Sequence, residues 1–384
     1  MPESIGAELE ALRAKVQAFI DDDLRPLETA LGEDGEEASE ETRRRVRERS
    51  RELGLFQMTQ PEEFGGVRTG PLALTVVRET LAAANSRLTR YVFGPGPGAL
   101  GSATGELRAR YLEPVLRGEK QGAWAFTEPG DAQRPTWATR DGDDLVVTGR
   151  KSYVSGGAEA DFYTVLVNVE DDGSAPGGTA LVVIDRGTPG LVMQREFRSL
   201  EGGGHIDLRI EGVRVPQANV VGKIGEGMPR ALGNITSMRL GLAAQASGLA
   251  MWVTEFTERS ITAPHRGGGK LADREGVRLH YGEMRMQTYA VRSMLYRTAR
   301  LAEASSKEEE SMNEIMATKV FATETLGRVV DTAIQLAGGQ ALIIGHPLER
   351  LYREVRSWRI AEGPSDVLRL NIARGRVEFG SGRL

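Results

Sequence analysis

The spacing of apolar residues changes twice along the 384-residue chain, and this change constrains the fold more than any other feature. Up to about residue 120 the spacing is helical, with Leu9, Leu12, Val16 and Ile20 on one predicted face. Residues 121–226 contain short β-branched or alternating runs, such as DLVVTG and TALVVID, separated by Gly, Asp and Pro, which predict strands. Helical spacing then returns. The sequence therefore predicts an α+β multidomain protein with an N-terminal α-helical domain (1–120), a central β-domain (121–226) and a C-terminal helical domain (227–384).

The lengths of the connections predict how these elements are arranged. The links between the predicted strands are too short to contain crossover helices, so we expect antiparallel pairing. Long amphipathic helices joined by short loops predict an antiparallel four-helix bundle at the C-terminus. One helix is expected to bury a face made of Leu279, Met286, Ala290, Met294 and Leu301. The next is expected to bury Ile315, Ala322, Leu326, Val329, Ala333 and Leu336.

Composition excludes several kinds of chemistry. The chain has no cysteine, which excludes disulfides, thiolate nucleophiles, iron–sulfur clusters and thiolate zinc sites. Its four histidines are far apart and lack metal-ligand spacing, so we expect no metal site. A net charge of −5 argues against a nucleic-acid partner. No apolar run approaches the roughly 20 residues of a membrane span, and no signal peptide is visible. These features predict a cytoplasmic protein.

Two glycine-rich stretches match phosphate-binding patterns only superficially. GPGALG, from Gly96 to Gly101, fits G-x-G-x-x-G, but prolines interrupt it and no alternating strand–helix pattern follows. GGGK, from Gly267 to Lys270, lacks the spaced first glycine and the following Ser or Thr of a phosphate loop. We expect neither stretch to bind a nucleotide.

A glutamate in an unusual position raises the first functional question. In RIAEGPSDVLRL, Pro364 is expected at the first position of a helix, and Asp366 is expected to accept hydrogen bonds from first-turn amides. Glu362 then lies just before a helix N-terminus. It is either a solvated loop carboxylate or a positioned base, and the residue type alone favours the solvated carboxylate.

Six stretches of sequence, in this order, resemble the acyl-CoA dehydrogenase superfamily over nearly the whole chain. They are PEEFGG (61–66), RYLEPVLRGEKQGAWAFTEP (110–129), TGRKSYVSGGAEADF (148–162), EGVRVPQANVVGKIGEG (211–227), IQLAGGQALIIGHPLERLYREVR (334–356) and IAEGPSDVLRLNIAR (360–374). The resemblance implies a noncovalent FAD and a homotetramer built as a dimer of dimers.

The resemblance also implies which residues bind the FAD. Phe126 and Thr127 match residues that hydrogen-bond the flavin ring, and Tyr153 and Ser155 match residues that cover its other side. Arg259 matches an arginine that reaches the cofactor across the dimer interface, with Arg266 as a rival. A segment that reaches the FAD of the neighbouring subunit is matched by Gln335, Gly338 and Gly339. Pro364 and Asp366 stand where many members place Thr and Gln near the cofactor.

The activity that the resemblance implies is α,β-dehydrogenation of an acyl-CoA thioester, with Glu362 as the base that removes the α-proton and hydride transfer to flavin N5. Arg239 matches an arginine near the CoA chain, and Met238 occupies the other known base position. Electron-transferring flavoprotein is the expected acceptor. A shorter loop after Pro129 and Thr236 in place of a pantetheine-side Asp leave an acyl carrier protein open as the thioester carrier. Alternative functions are a flavin-dependent oxidase or monooxygenase of the same fold, and a weakly active partner subunit of a heteromeric dehydrogenase.

Overall fold

The computed structural model describes residues 5–31, 38–67, 69–173, 175–265, 267–307 and 310–382. The chain divides into two compact units, each described separately below. The helical unit comprises Met1–Met58, Val67–Phe93 and Thr236–Leu384, and the sheet unit comprises Thr59–Gly66 and Gly94–Ile235. The three domain boundaries expected from the sequence are a division of another kind, and they stay a prediction.

The helices account for both ends of the chain, as the helical spacing predicts. In chain order they are α1 Ala7–Phe19, α2 Arg25–Thr29, α3 Glu40–Glu52, α4 Pro71–Ala83, α5 Gly105–Leu107, α6 Glu113–Arg117, α7 Gly227–Thr262, α8 Glu275–Ala304, α9 Met312–Ala337, α10 Pro347–Ser357 and α11 Ser365–Phe379. A π-helical turn, Ile20–Leu24, joins α1 to α2. The N-terminal stripe is confirmed, because Val16 and Ile20 are fully buried and Leu12 packs against the same cluster.

The C-terminal helices form the predicted bundle. One core cluster draws buried residues from α7, α8, α9 and α10, and α11 packs on α9 through Leu368, Met316 and Val320. The predicted face of α9 is confirmed, since Ile315, Leu326 and Val329 are all buried.

The predicted face of α8 is wrong for the single subunit. Leu279 is 69% exposed and Met286 is 66% exposed. The buried face of α8 is offset from it and carries Met284, Val291 and Leu295. Helix α8 has apolar residues on two faces, so spacing alone cannot tell which face the subunit buries.

The sheet unit contains a seven-stranded sheet. Its strands are β1 Gly122–Ala125, β2 Trp137–Asp141, β3 Asp144–Ser155, β4 Phe162–Val169, β5 Gly178–Asp185, β6 Leu191–Arg198 and β7 Gly204–Pro216. Antiparallel pairing is confirmed for β2–β3, β3–β7, β4–β5 and β6–β7. Strand β4 departs from the expectation, because it runs parallel to both β1 and β2. The β2–β3 hairpin returns the chain to the same direction without a helix, which the argument from short links did not consider.

Two general searches bear on function. No helix of the described residues is long and apolar enough to cross a membrane. The same part of the chain contains no group of three or more His, Cys, Asp or Glu side chains that could hold a metal ion.

Candidate active site

Glu362 lies in the turn between α10 and α11, with its backbone in the left-handed region at φ 56°. A residue other than glycine rarely adopts this conformation, which costs on the order of 1–3 kcal/mol and persists only where the surroundings fix it. Strained residues of this kind cluster at functional sites. The backbone therefore favours a positioned glutamate over an ordinary loop carboxylate.

Two buried cations from different helices fix this turn. Arg239 on α7 donates from Nε to the Glu362 carbonyl at 2.8 Å. Lys319 on α9 is fully buried and donates from Nζ to the Gly363 carbonyl at 2.9 Å. The Ser365 amide donates to the Arg359 carbonyl at 2.9 Å and closes the turn. The cations bind main-chain carbonyls and leave the Glu362 side chain free.

The groups of Glu362 that could act on a substrate are available. Among the described residues, neither its carboxylate nor its amide N–H has a hydrogen-bond partner, and the carboxylate forms no ion pair. The side chain is half-buried. A solvated loop carboxylate would not combine burial, a fixed backbone and two unused polar groups.

Burial raises the pKa of Glu362 above its ordinary value, and the nearby charges of Arg239 and Lys319 oppose this rise. Burial, together with the charge of Arg239, lowers the pKa of Lys319 to about 8, while Glu362 and Glu324 act in the opposite direction. Burial also lowers the pKa of Arg239. The expectation that Ile360 shields the carboxylate is wrong, since Ile360 is 57% exposed.

The start of α11 differs from the sequence expectation in detail. Pro364 is the N-cap residue, and the first helical residue is Ser365. Asp366 does not cap the first-turn amides; its exposed carboxylate accepts from Arg369 at 2.9 Å. An arginine one turn away gives the carboxylate a charged partner in water, which the free amides cannot match.

In the sheet unit, Phe126 and Thr127 follow directly after β1 and are tied to β3. The Ser152 amide donates to the Thr127 carbonyl at 2.9 Å. Lys151, only 1% exposed, donates to the Phe126 carbonyl at 3.0 Å and to Glu128 at 2.5 Å. Within the described part of the chain, the amide and hydroxyl of Thr127 have no hydrogen-bond partner.

Tyr153 and Ser155 lie together at the end of β3, beside two rings from β6 and β7. Tyr153 is left-handed at φ 55° and 62% exposed. Its ring packs edge-on against Phe197, with the ring centroids 5.5 Å apart. Ser155 Oγ lies 3.1 Å from His205 Nδ1, and this His205 ring stacks on Phe197. An open aromatic surface with a nearby hydroxyl fits one side of a flavin ring.

The remaining expected cofactor residues are exposed at helix ends of the helical unit. Gln335 lies in the last turn of α9, Gly338 caps it at φ 75°, and Gly339 follows. Arg259 lies in the last turn of α7. No hydrogen bond joins Arg259 to these three within the described residues. Arg266, its rival, lies outside the described residues.

The sequence reading missed the two buried lysines. Lys319 follows the buried Ile315 by four residues and precedes Ala322 by three, so a lysine occupies the apolar face of α9. That position was the available signal. Lys151 gave a weaker one, since it lies in the KSYVS stretch used for the resemblance.

Family models match most of the chain. The N-terminal, middle and C-terminal domain models of acyl-CoA dehydrogenase match residues 6–119, 123–213 and 225–376. The chain belongs to the acyl-CoA dehydrogenase family. It is accordingly an oxidoreductase of acyl-CoA dehydrogenation, and FAD is its cofactor.

Curated relatives include enzymes named for either direction of the reaction. An acryloyl-CoA reductase (NADH) from Anaerotignum propionicum is 27% identical, over 97% of this chain and 95% of the relative. A cyclohexane-1-carbonyl-CoA dehydrogenase from Geobacter metallireducens is 27% identical, over 84% and 86%. A subunit of a caffeyl-CoA reductase–Etf complex from Acetobacterium woodii is 25% identical, over 88% and 90%.

Solved structures share the fold over nearly the full chain. A Mycobacterium smegmatis protein assigned to the acyl-CoA dehydrogenases has a TM-score of 0.79 and 29% identity, covering 98% of this chain and 99% of that one. An acyl-CoA dehydrogenase from Bacillus anthracis in complex with FAD has a TM-score of 0.78 and 24% identity, covering 99% and 69%.

Proposed function

We propose that this protein oxidises the Cα–Cβ bond of an acyl-CoA thioester, with Glu362 as the base that removes the α-proton. The observation that carries this proposal is the Glu362 turn. A strained backbone, held by two buried cations, presents an unpartnered carboxylate and an unpartnered amide at the same residue. These are the two groups that proton removal next to a carbonyl requires.

The electrostatic surroundings suit a base that works near neutral pH. An ordinary glutamate pKa of about 4.3 is a poor match for a carbon acid, and burial raises the pKa of Glu362. Arg239 and Lys319 limit the rise, so the carboxylate stays ionised and able to accept a proton. The Glu362 amide would donate to the thioester oxygen as negative charge develops there.

The FAD supplies the hydride acceptor when bound, and we infer that four residues of the sheet unit hold its flavin ring. Thr127 offers an unpartnered amide and hydroxyl, and Phe126 lies beside it on the same clamped segment. Tyr153 offers an exposed ring face, and Ser155 offers its hydroxyl.

The other cofactor residues belong to the helical unit. Exposed and next to backbone that only glycine accommodates easily, Gln335, Gly338 and Gly339 would reach the FAD of a neighbouring subunit, together with Arg259. Pro364 and Asp366 complete the proposed set, although proline has no N–H to donate and the Asp366 carboxylate is occupied by Arg369.

The partners are proposed on weaker observations. We infer a homotetramer, a dimer of dimers, because α8 exposes Leu279 and Met286 and the loop after α9 exposes Ile344. Electron-transferring flavoprotein is the proposed acceptor, by analogy with the relative named as part of an Etf complex. Arg239 favours CoA over an acyl carrier protein, and we place the reaction in the cytoplasm.

The experiment that tests the function is anaerobic titration of the purified yellow protein with a panel of saturated acyl-CoAs. We expect the flavin absorbance to bleach with at least one of them and the enoyl-CoA to form in equal amount. Rapid turnover with oxygen alone would instead assign the protein to the oxidases. A colourless protein that becomes active only with a paralogue would assign it to the partner subunits.

A second candidate function is reduction of an enoyl-CoA, which the relative named acryloyl-CoA reductase favours. The same residues serve it, because a protonated Glu362 can return the proton to Cα. The two directions are separated by comparing enoyl-CoA reduction by the dithionite-reduced protein with acyl-CoA oxidation by the oxidised protein. The faster direction under matched conditions decides between them.

A further inference from the structure

A pocket of about 310 Å³ in the helical unit has no role in the chemistry above. It is lined from α4, α7, the C-terminal end of α8 and the start of α9. Its lining contains two cations, Arg78 and Lys307, and seven hydroxyl side chains, but no carboxylate. The nearest described acids are engaged outside it, since Glu303 accepts from the Leu72 amide and Glu310 accepts from Ser306. The lining is therefore electropositive.

Arg78 is the unusual member of this lining. Its guanidinium is largely buried, and burial lowers its pKa, yet it has no hydrogen bond or ion pair within the described part of the chain. Its one described partner is the ring of Phe93, 5.6 Å away. The next residue, Glu79, is fully used by Arg292, Ser247 and Tyr296. A buried arginine with five unused donors is costly unless something pairs with it.

The helix opposite Arg78 is shaped to make room for it. A Cβ atom at Gly241 of α7 would lie 1.8 Å from Arg78 Nη1. Glycine inside a helix costs roughly 0.5–1 kcal/mol relative to alanine, so Gly241 has a local cost that the guanidinium's position explains. The arginine thus lies against helix backbone with one edge towards the pocket.

The pocket adjoins the proposed site along two helices. Gly241 follows Arg239 by two residues, about 3 Å along the α7 axis, and Ile315 precedes Lys319 by four residues, about 6 Å along α9. Leu74, Leu240 and Ile315 give the pocket apolar walls. A chain that enters from the Glu362 side would meet apolar surface first and the guanidinium at the far side.

We propose that this pocket binds an oxyanion through Arg78, and that the oxyanion is a carboxylate at the far end of the substrate's acyl chain. The inference rests on the proposed function, because it names a substrate class for that same site. Arginine pairs with a carboxylate through two parallel hydrogen bonds, and the apolar walls suit the alkyl chain between the carboxylate and the thioester. A CoA phosphate has the same charge but no such chain.

The test compares two acyl-CoAs of equal chain length, glutaryl-CoA and valeryl-CoA, in three proteins. In Arg78→Met we expect kcat/KM to fall about 10- to 100-fold for glutaryl-CoA and to stay within about twofold for valeryl-CoA. The matched control is Arg374→Met, which removes an exposed arginine paired with Glu378 and should change neither value. Gly241→Ala, which displaces the guanidinium, should act in the same direction as Arg78→Met. Equal losses for both acyl-CoAs would overturn the carboxylate assignment in favour of a CoA phosphate.

A binding measurement separates this proposal from the proposed function. Free glutarate and inorganic phosphate are added to the holoenzyme, and the melting temperature is recorded for the wild type and Arg78→Met. Stabilisation by glutarate that Arg78→Met abolishes supports the pocket even if no acyl-CoA bleaches the flavin. Stabilisation by phosphate but not glutarate, by neither, or by glutarate equally in both proteins would overturn the proposal.

Discussion

Two residues with left-handed backbones, Glu362 at φ 56° and Tyr153 at φ 55°, stand at the two regions that the proposed reaction uses. Each lies beside a buried lysine that donates to a main-chain carbonyl of a proposed functional segment. Lys319 holds the Gly363 carbonyl at 2.9 Å, and Lys151 holds the Phe126 carbonyl at 3.0 Å. The geometry is similar, but the charge is treated differently.

Lys151 has a counter-ion, Glu128, at 2.5 Å, whereas Lys319 has no carboxylate within ion-pair distance among the described residues. A paired lysine mainly fixes structure, because its charge is neutralised on the spot. An unpaired lysine fixes the turn and also acts on the nearest free carboxylate, which is Glu362. The difference indicates that the sheet segment is built for shape and the Glu362 turn for both shape and charge.

The largest expected effect comes from Glu362→Gln, which removes the proposed base and keeps its shape. General-base catalysis is typically worth about 10²–10⁴-fold, and we expect flavin reduction by acyl-CoA to fall by at least this factor. The rate is measured by anaerobic stopped-flow absorbance. Glu349→Gln on α10, which breaks only an ion pair with Arg353, should leave the rate unchanged. Bleaching at the wild-type rate in Glu362→Gln would remove Glu362 from the mechanism.

The comparison of the two lysines is sharpened by Lys319→Met and Lys151→Met. Loss of the Lys319 charge should raise the pKa of Glu362, because that charge favours the ionised carboxylate. The acidic limb of the kcat/KM profile should then move to higher pH, and the rate of flavin reduction should fall about 10- to 100-fold as the turn loosens. Lys151→Met should leave the acidic limb in place and weaken FAD retention. An acidic limb that moves equally in both variants would contradict the distinction.

Much of this arrangement could be read from the sequence, and the exceptions have identifiable causes. Periodicity predicted α9 and its buried face, whereas the same argument chose the wrong face of α8 because that helix is apolar on two sides. Glu362 was found through a resemblance, since its backbone conformation and its free amide depend on Arg239 and Lys319, which are over 40 residues away in the chain. Tertiary contacts of this kind leave no local pattern.

The parallel neighbours of β4 illustrate the same limit. The strands were recognisable from alternation, but β1 and β2 both pair with β4, a strand that comes after both in the chain. Nothing in short links between strands specifies such a partner. Similarly, the Asp366 carboxylate has a local option, the first-turn amides, and another local option, Arg369, and the sequence does not rank them.

A smaller effect is expected in the pH dependence of stability. The folded pKa of Lys319 is about 8, below the ordinary lysine value of about 10.4 that the unfolded chain retains. Between these values the unfolded state binds more protons, so this group's contribution to the free energy of unfolding rises with pH through that window. The wild type should gain on the order of 1–3 kcal/mol relative to Lys319→Met between pH 8 and 10. Denaturant unfolding at several pH values measures the difference, and a flat difference would contradict the burial argument.

The smallest expected effect concerns Tyr153, where the comparison with Glu362 turns on backbone strain. Tyr153→Ala removes the exposed ring but keeps a Cβ in the left-handed region, whereas Tyr153→Gly removes both. Losing an aromatic contact typically costs about 0.5–1.5 kcal/mol, so both variants should bind FAD roughly 2- to 12-fold more weakly. Tyr153→Gly should also be more stable than Tyr153→Ala by about 1 kcal/mol as apoprotein, because only glycine relieves the strain. Tyr352→Ala, at an exposed helical tyrosine of α10, controls for loss of a surface ring. FAD affinity is measured by fluorescence titration and stability by urea unfolding, and equal stability of the Gly and Ala variants would show that the surroundings, not the residue, hold this backbone in place.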